Sequence, residues 1–484
     1  MSVMGAYNRV NSEPACASEK LMKKLSEWGF DGYFVSDCWA IRDFHTHHNV
    51  TATAPESAAL ALKTGCDINC GNTYLHILQA LEQGLLTEED IDRACLKAME
   101  IRLKLGMGQK TEYDDIPYSS ISCPEHKAVS LECAQKSMVL LKNNGILPLA
   151  NDKNKTIAVI GPNADSREAL TGNYEGTADR YITFSEGIAE AFEGRVLYSQ
   201  GCHLYRDRLQ GLALPGDRYS EAVACAQNAD AVILIVGLDA TLEGEEGDTG
   251  NEFASGDKLD LLLPKSQRTL ISKIMALKKP TVIVSAAGSA INIEAEPDAY
   301  IHAWYPGQMG GKALADIIFG KVSPSGKLPV TFYQTADQLP DFEDYSMNGR
   351  TYRYTRDNIL YPFGYGLTYS KISLCNLSYA DNKATVTLKN IGSFDTDEVV
   401  EVYIKPQSSG QYPRLCGFER VTLLKNEEKT VTIDLSDTAF FEYTDDGKRA
   451  VLSERFELFA GVCQPDELSQ KLCGCDVQKI IVSL

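Results

Sequence analysis

Three successive patterns of hydrophobic and polar positions run along the chain. Up to about residue 112, short apolar runs alternate with stretches whose apolar residues recur every three or four positions. Such alternation predicts strands followed by helices. From about residue 125 to 340 the alternation continues with longer apolar strands. From about residue 375 the period changes to two, as in ATVTLKN and RFELFAGV, which is typical of half-buried antiparallel strands.

The first zone contains one short buried strand, predicted over 32–36, and one clear helix start. Thr87 precedes three acidic residues and is expected to be the helix N-cap. The buried face of that helix is then predicted from helical spacing to comprise Ile91, Ala94, Cys95, Ala98 and Ile101. Residues 113–124 are polar and contain two prolines, which predicts a linker.

The second zone is predicted to be an α/β sandwich with a mostly parallel sheet. Its strands are expected at 156–161, 231–237, 281–286 and 300–303, and its helices at 128–142, 265–277 and 311–319. The run GPNAD follows the first of these strands, but it lacks the glycine spacing and the Lys-Ser/Thr pair of a phosphate-binding loop. The whole chain then divides into a βα domain (1–112), a linker (113–124), the α/β sandwich (125–340), a connecting segment (341–374) and an antiparallel β-sandwich (375–484).

Composition narrows the classes of partner. A chain of 484 residues with 44% hydrophobic residues has room for two or three domains with real cores. The net charge of −19 argues against nucleic acid and anionic membrane surfaces as partners. No apolar run approaches the roughly 18 residues of a membrane span. Met1 leads straight into a strand-like segment rather than a signal peptide, which predicts a cytoplasmic protein if Met1 is the natural start.

The 14 cysteines are scattered through the helix and strand patterns, for example at Cys95, Cys133 and Cys225. This distribution predicts reduced, buried thiols rather than a disulfide framework. Two closely spaced pairs, Cys66 with Cys70 and Cys473 with Cys475, have no matching second pair, and histidine is scarce. No metal site is therefore expected.

Two acidic features of the sequence are candidates for catalytic carboxylates. Asp37 comes directly after the strand 32–36, and a carboxylate at the C-terminal end of a barrel strand is where barrel enzymes place reacting groups. Most aspartates in such positions only cap helices or lie in solvated loops. The second feature is the glycine-rich acidic loop 241–257, TLEGEEGDTGNEFASGD, which follows the strand 231–237. One strand-end carboxylate and one loop carboxylate are the two parts that a glycoside hydrolase needs.

Segments along nearly the whole chain resemble glycoside hydrolase family 3, in the family's order. They are SVMGAYNRVNSEPACAS through EWGFDGYFVSDCW, HHNVTATAPESAALALKTGCDINCG, LLKNNGILPL, AVIGPNAD, GNYEG, SAAGSAINI, WYPGQMGGKALADIIFGKVSPSGKLPVTF and RTYRY through LYPFGYGLTYS. The SDC form of the nucleophile motif and the LEGEE loop most resemble the β-xylosidase branch. The resemblance implies the C-terminal part of a (β/α)8 barrel, then an α/β sandwich, then a fibronectin type III-like β-sandwich.

The resemblance also implies retaining hydrolysis of terminal β-linked sugars from an oligosaccharide or aryl β-glycoside, with no metal or organic cofactor. Asp37 is then the nucleophile. The acid/base is Glu245, preceded by Gly244, or Glu246, just before Gly247 and Asp248, with Glu243 as a third candidate. We expect Asp37 and this loop to converge on one pocket between the first two domains, because neither carboxylate has a catalytic partner within its own domain.

Further site residues follow from the same resemblance. Tyr7 matches a tyrosine beside the nucleophile, with a plain core tyrosine as the alternative. Trp39 is a candidate apolar wall for the sugar ring, although Cys38 separates it from Asp37, whereas many family glucosidases have tryptophan directly after the nucleophile. His47 and His48 either contact sugar or cap the loop.

A complete (β/α)8 barrel takes about 250 residues, whereas the 1–112 zone carries signals for about three strands. Measured against the family pattern, the first half of the barrel is missing. We therefore expect a fragment, a misannotated start, or one half of a split enzyme that pairs with a complementary chain or with itself. We then expect the chain alone to be a poor enzyme or none. Three functions remain open: a β-1,4-xylosidase, a β-glucosidase on the same scaffold, and a catalytically silent chain that needs a partner.

Overall fold

The computed structural model describes residues 1–208, 211–245, 258–407, 409–444 and 446–484. It divides into two compact units, Met1–Ser120 and Ile121–Leu484. Within the described ranges, no helix is both long enough and apolar enough to cross a membrane.

The first unit has a βα organisation, as its pattern predicts. Strands β1 and β4 pair in parallel, and Ile68 forms a further parallel bridge with Val35 on the other side of β4. The strands are β1 (Ser2–Gly5), β2 (Arg9–Val10), β3 (Glu13–Pro14) and β4 (Tyr33–Ser36). The helices are α1 (Glu19–Glu27), α2 (Asp43–Thr46), α3 (Ala54–Thr64), α4 (Ile77–Glu82) and α5 (Glu88–Lys104).

Helix α5 begins as its sequence predicts. The Thr87 hydroxyl accepts a hydrogen bond from the Asp90 N–H at 3.3 Å, and the Asp90 carboxylate accepts one from the Thr87 N–H at 3.1 Å. Ala94 and Ile101 are buried, but the prediction that Cys95 shares their face is wrong, because its side chain is exposed. Consecutive helical residues point about 100° apart, so the cysteine after Ala94 turns away from the core.

The second unit opens with an α/β sandwich. Its described strands form a sheet in the order β5-β10-β9-β8-β6-β7, parallel throughout except for the edge strand β5. The strands are β5 (Val139–Asn143), β6 (Thr156–Ile160), β7 (Arg195–Ser199), β8 (Ala231–Gly237), β9 (Thr281–Ala286) and β10 (Ala299–His302). The helices are α6 (Pro124–Ser137), α7 (Phe184–Ala191), α8 (Asp217–Gln227), α9 (Lys265–Met275) and α10 (Gly310–Ile318).

One element of this sheet corrects the sequence analysis. A single helix over 128–142 was expected, but α6 ends at Ser137 and the chain continues as the strand β5. Val139, Leu140 and Leu141 are all buried, since both faces of the strand are covered. A short run that is apolar on every face has no periodicity, so the pattern cannot distinguish a buried strand from a helical turn.

The rest of the unit is the expected antiparallel β-sandwich, reached through β11 (Phe332–Tyr333), α11 (Thr351–Tyr354) and β12 (Ile359–Tyr361). Its two main sheets have the orders β13-β14-β17 and β16-β15-β20-β21, and their inner faces enclose an apolar core. The elements are β13 (Ile372–Ala380), β14 (Lys383–Asn390), β15 (Thr396–Pro406), β16 (Arg414–Leu423), β17 (Glu428–Asp434), β18 (Phe441–Tyr443), β19 (Arg449–Val451), β20 (Arg455–Gly461), α12 (Glu467–Cys473) and β21 (Gln478–Ser483).

Within this unit, a buried ionic cluster links the end of the α/β sandwich to the β-sandwich. Lys327 forms a salt bridge with Glu398 at 2.9 Å and donates to the carbonyl oxygens of Gly366 and Val462. Beside it, Glu401 accepts a hydrogen bond from the Tyr403 hydroxyl at 2.8 Å. Burial raises the pKa of Glu401 to about 7, and the positive charge of Lys327 only partly opposes this rise.

This pKa predicts a pH-dependent stability. The unfolded chain releases the Glu401 proton near pH 4.5, whereas the folded protein holds it to about pH 7, so stability falls as pH rises between these values. A shift of this size corresponds to about 3 kcal/mol of unfolding free energy. Glu401→Gln keeps an acceptor for Tyr403 and removes the titration. We therefore expect Glu401→Gln to gain stability relative to the parent protein between pH 5 and pH 8 in urea unfolding.

The control for this prediction is Glu343→Gln, which changes an exposed carboxylate. The difference in unfolding free energy between Glu343→Gln and the parent protein should be the same at pH 5 and at pH 8. If the unfolding free energy of Glu401→Gln and of the parent protein varied with pH in the same way, Glu401 would be ionised in both the folded and the unfolded chain. That result would contradict the prediction.

Candidate active site

The candidate nucleophile lies at one edge of the small parallel sheet in the first unit. Strands β1 and β4 and the bridge at Ile68 all run in the same direction, so the residues that follow them lie at the same edge. The Asp37 N–H donates to the carbonyl oxygen of Gly5 at 2.8 Å, and its carboxylate accepts from the Cys38 N–H at 2.7 Å. Asp37 itself is half-buried. The neighbouring strand end thus fixes the backbone of Asp37.

A second set of bonds ties β4 to the segment after Ile68. The hydroxyl of Ser36 accepts hydrogen bonds from the Cys70 N–H at 3.0 Å and from the Asn69 side-chain amide at 3.1 Å. The Trp39 N–H donates to the Cys70 carbonyl oxygen at 2.8 Å. Residues on both sides of Asp37 are therefore held by the same short segment.

A disulfide between Cys38 and Cys70 completes this connection, with their Cα atoms 4.3 Å apart. The expectation that all the cysteines are reduced is wrong for this pair. The two residues are 32 positions apart in sequence and meet only because they follow β4 and the Ile68 bridge, which pair in parallel. The other cysteines carry free thiols. The expectation that these are buried is also wrong for some of them, since Cys95 and Cys133 are exposed.

The two candidate sugar-contacting residues of this unit, Tyr7 and Trp39, come shortly after β1 and β4 in the sequence. Tyr7 follows β1 and is 44% exposed, and Trp39 is 42% exposed. Trp39 has a left-handed backbone with φ of 71°, and the Arg42 guanidinium lies 5.0 Å from its ring centre. Gly71 packs against this turn, because a Cβ there would lie 3.2 Å from the Trp39 nitrogen. Contact of Tyr7 or Trp39 with sugar stays a prediction.

The two histidines differ in their surroundings. His47 pairs through Nδ1 with the Asp43 carboxylate at 2.8 Å, within the turn that α2 forms. The ring of His48 stacks on Phe44, with ring centres 6.3 Å apart. The pairing of His47 fits the alternative in which it caps the loop.

The acidic loop in the second unit begins immediately after β8. The Asp239 carboxylate accepts hydrogen bonds from the N–H and the hydroxyl of Thr241, and its carbonyl oxygen accepts from the Glu243 N–H at 3.1 Å. From the GPNAD run after β6, the buried Asn163 donates to the Leu238 carbonyl oxygen at 2.9 Å. In the same run Gly161 has φ of 132°, and a Cβ there would lie 1.8 Å from the Ile235 carbonyl oxygen. GPNAD therefore supports the start of the acidic loop.

Glu243 is the anchor of this loop. Its carboxylate accepts hydrogen bonds from the Gly288 N–H, from the Ser289 hydroxyl at 2.5 Å, and from the Tyr305 hydroxyl. Burial, together with the negative charge of Glu243, raises the pKa of Tyr305, so this phenol remains a donor. A carboxylate that already accepts three hydrogen bonds is poorly suited to deliver a proton to a substrate. This arrangement disfavours Glu243 as the acid.

Glu245 is exposed, and its carboxylate accepts a hydrogen bond from the Tyr174 hydroxyl. Glu246 lies outside the described residues, as does the rest of the loop to residue 257. The choice between Glu245 and Glu246 therefore stays a prediction. A cavity of about 430 Å³ adjoins the described part of the loop, and its lining includes Glu243, Ser289 and Tyr305.

Tyr174, Ser289 and Tyr305 lie in three of the segments that resemble the family, but the sequence alone indicated no role for them. Tyr174 is in GNYEG, Ser289 is in SAAGSAINI, and Tyr305 is in WYPGQMGG. The last two follow β9 and β10, and GPNAD follows β6. Ligands of parallel α/β sheets bind outside the carboxyl ends of the strands. The position of these segments directly after strands was therefore the sequence signal that could have identified them as part of the site. The shared pocket for Asp37 and the acidic loop stays a prediction.

Comparison with known proteins matches the chain to three domain families in succession. Glycosyl hydrolase family 3 N terminal domain matches residues 1–101, Glycosyl hydrolase family 3 C-terminal domain matches 138–369, and Fibronectin type III-like domain matches 398–462. These matches confirm the predicted fold classes in their predicted order.

Individual relatives give the same result. Beta-D-xylosidase 1 of Arabidopsis thaliana is 33% identical over 95% of this chain, and the chain spans 65% of that protein's length. The Periplasmic beta-glucosidase of Salmonella typhimurium is 30% identical over 95% of this chain, which spans 66% of it.

Among solved structures, a GH3 exo-beta-xylosidase (XlnD) in complex with a xylobiose aziridine activity-based probe is 28% identical, with a TM-score of 0.82. The match covers 99% of this chain and 65% of that one. The ordered motifs, the domain succession and these similarities agree. The chain belongs to glycoside hydrolase family 3.

Proposed function

We propose that the protein is a retaining, exo-acting β-glycosidase that removes terminal β-linked sugars, specifically a β-1,4-xylosidase. The observation that carries this proposal is the fixed position of Asp37 at the carboxyl edge of the parallel strands. Two backbone hydrogen bonds and the adjacent Cys38–Cys70 disulfide hold it there. A nucleophile must be held in place before the substrate arrives, since precise orientation accounts for much of the rate.

In the proposed first step, an Asp37 oxygen attacks the anomeric carbon while Glu245 donates its proton to the departing glycosidic oxygen. The bond to the leaving group breaks, the covalent glycosyl-enzyme forms, and Glu245 becomes a carboxylate. In the second step Glu245 takes a proton from water, whose oxygen attacks the anomeric carbon and releases Asp37. Two inversions give net retention. The two carboxyl groups must then lie about 5 Å apart during the reaction.

The preference for xylose rests on the SDC and LEGEE forms of the motifs and on the plant and fungal-type xylosidases among the similar proteins. A β-glucosidase is the second candidate, because the Salmonella relative carries that name. The third candidate is a chain that is silent without a partner, either a complementary barrel half or a second copy. The chain spans 65% of the Arabidopsis relative and 66% of the Salmonella relative, so the activity of the whole protein is part of the proposal.

The test compares kcat/KM on aryl β-xyloside and aryl β-glucoside while size-exclusion chromatography with light scattering records the molecular mass. Proton NMR of the first product formed reports its anomeric configuration. We expect β-xylose first and a higher kcat/KM on the xyloside. A higher value on the glucoside would select the second candidate, and an initial α-anomer would exclude the double-displacement mechanism. Turnover that requires a larger assembly would select the third candidate.

A further inference from the structure

A polar and aromatic groove crosses the β-sandwich, and its described lining residues include none from the acidic loop. One part has a volume of about 670 Å³ and lies between the segment around Arg353 and the strands that carry Lys405, Arg414 and Glu442. A second part of about 740 Å³ shares Lys405 and Tyr412 with the first. Single ligand sites commonly have volumes of about 300 to 1,000 Å³. The two parts together therefore offer room for a ligand longer than one ring.

Exposed tyrosine rings line this groove. Tyr354 is 43% exposed, Tyr412 39% and Tyr443 68%. The guanidinium of Arg356 lies 4.2 Å from the ring centre of Tyr412, and this contact favours a fixed orientation of the ring at the junction of the two parts. A tyrosine presents an apolar ring with a polar tip, so it suits ligands that combine apolar faces with hydroxyl groups.

One carboxylate in each part of the groove is paired with two cations. The Glu442 carboxylate lies between Arg353 at 3.8 Å and Arg414 at 4.0 Å. In the second part, Glu457 lies between Lys405 at 3.2 Å and Lys479 at 2.7 Å. The described ionised side chains that line the two parts nearly balance, whereas the whole chain has a net charge of −19. Such a groove offers many hydrogen-bond donors and acceptors but little net attraction for an anion or a cation.

We propose that this groove binds a neutral oligosaccharide or polysaccharide chain without cleaving it. A pyranose ring has an apolar C–H face that packs on a tyrosine ring, and its hydroxyl groups bond to paired carboxylate and guanidinium groups at the edge. An exo-acting pocket takes only the end of a chain, whereas the exposed tyrosines of this groove leave it accessible to internal units. The choice of a xylan as ligand rests on the proposed function.

The experiment measures retardation of the full chain in native gels that contain soluble arabinoxylan. Polymeric arabinoxylan has few chain ends, so an exo-acting pocket contributes little to its binding. Asp37→Ala is used as the background to prevent hydrolysis. We expect Tyr412→Ala in this background to weaken arabinoxylan binding at least tenfold. Glu442→Gln, which is less disruptive to packing, should weaken it severalfold.

The matched control is Tyr345→Ala, which removes an 84% exposed tyrosine that does not line the groove. It should bind as the background does, and thermal unfolding should show that all variants are folded. Absence of retardation in the background protein, or equal retardation in every folded variant, would overturn the proposal. The hydrolysis assay of the parent protein reports on the proposed function separately, so the two proposals fail independently.

Discussion

Replacement of Asp37 by alanine is expected to abolish hydrolysis of an aryl β-xyloside, with a loss in kcat of roughly 10⁴- to 10⁶-fold. The reason is that the covalent intermediate needs an oxygen nucleophile beside the anomeric carbon, and alanine provides none. Steady-state kinetics on the parent protein and the variant give the ratio. The structure around the site should persist, because the Asp37 N–H still donates to Gly5 and the Cys38–Cys70 disulfide remains.

The matched control is Asp31→Ala, which removes an exposed carboxylate of the same unit whose side chain is 83% accessible. Its kinetics should equal those of the parent protein. A small external nucleophile such as azide should restore turnover of an activated aryl xyloside by the Asp37→Ala variant and give the α-glycosyl azide, because the missing first displacement is then supplied from solution. Residual activity above about a tenth of the parent value would remove Asp37 from the role of nucleophile.

Much of the α/β framework follows from the length of the apolar runs and the polar residues that bound them. The predicted strands 231–237 and 281–286 coincide with β8 and β9, because long runs of branched apolar residues bounded by polar ones have few other solutions. Placement of Asp37 directly after β4 was also predictable, since the strand is short and its end is marked by polar residues. The edge strand β5 was not, because its apolar run is short and follows α6 without a glycine or proline to mark a boundary.

The parts of the site that sequence reasoning missed depend on contacts between distant segments. The Cys38–Cys70 disulfide joins two loops that approach only when β4 and the Ile68 bridge pair in parallel. The hydrogen bonds of Glu243 come from residues 45, 46 and 62 positions away along the chain. Composition made the three candidate glutamates equivalent, whereas tertiary contacts give Glu243 and Glu245 different partners. The sequence alone therefore could not distinguish the anchoring Glu243 from the candidate acid Glu245.

The second large loss of activity is expected on substitution of Glu245, the candidate acid. Glu245→Ala should lower kcat roughly 10²- to 10⁴-fold on a disaccharide, whose leaving group needs a proton. On a dinitrophenyl glycoside, whose leaving group departs as a stable anion, the first step should be little affected. The measurement is kcat/KM on both substrates, since this constant reports the first irreversible step.

Glu243→Gln is the matched comparison for Glu245→Ala. The amide still accepts a hydrogen bond from Tyr305, but it loses the charge that Gly288 and Ser289 also contact, so the loop is held less firmly. Misplacement of the loop should lower kcat/KM on both substrates by a similar factor, because it affects positioning rather than proton supply. An equal loss on both substrates for Glu245→Ala would move the acid role to Glu246. A loss that depends on the leaving group in Glu243→Gln would instead make the anchored carboxylate the acid.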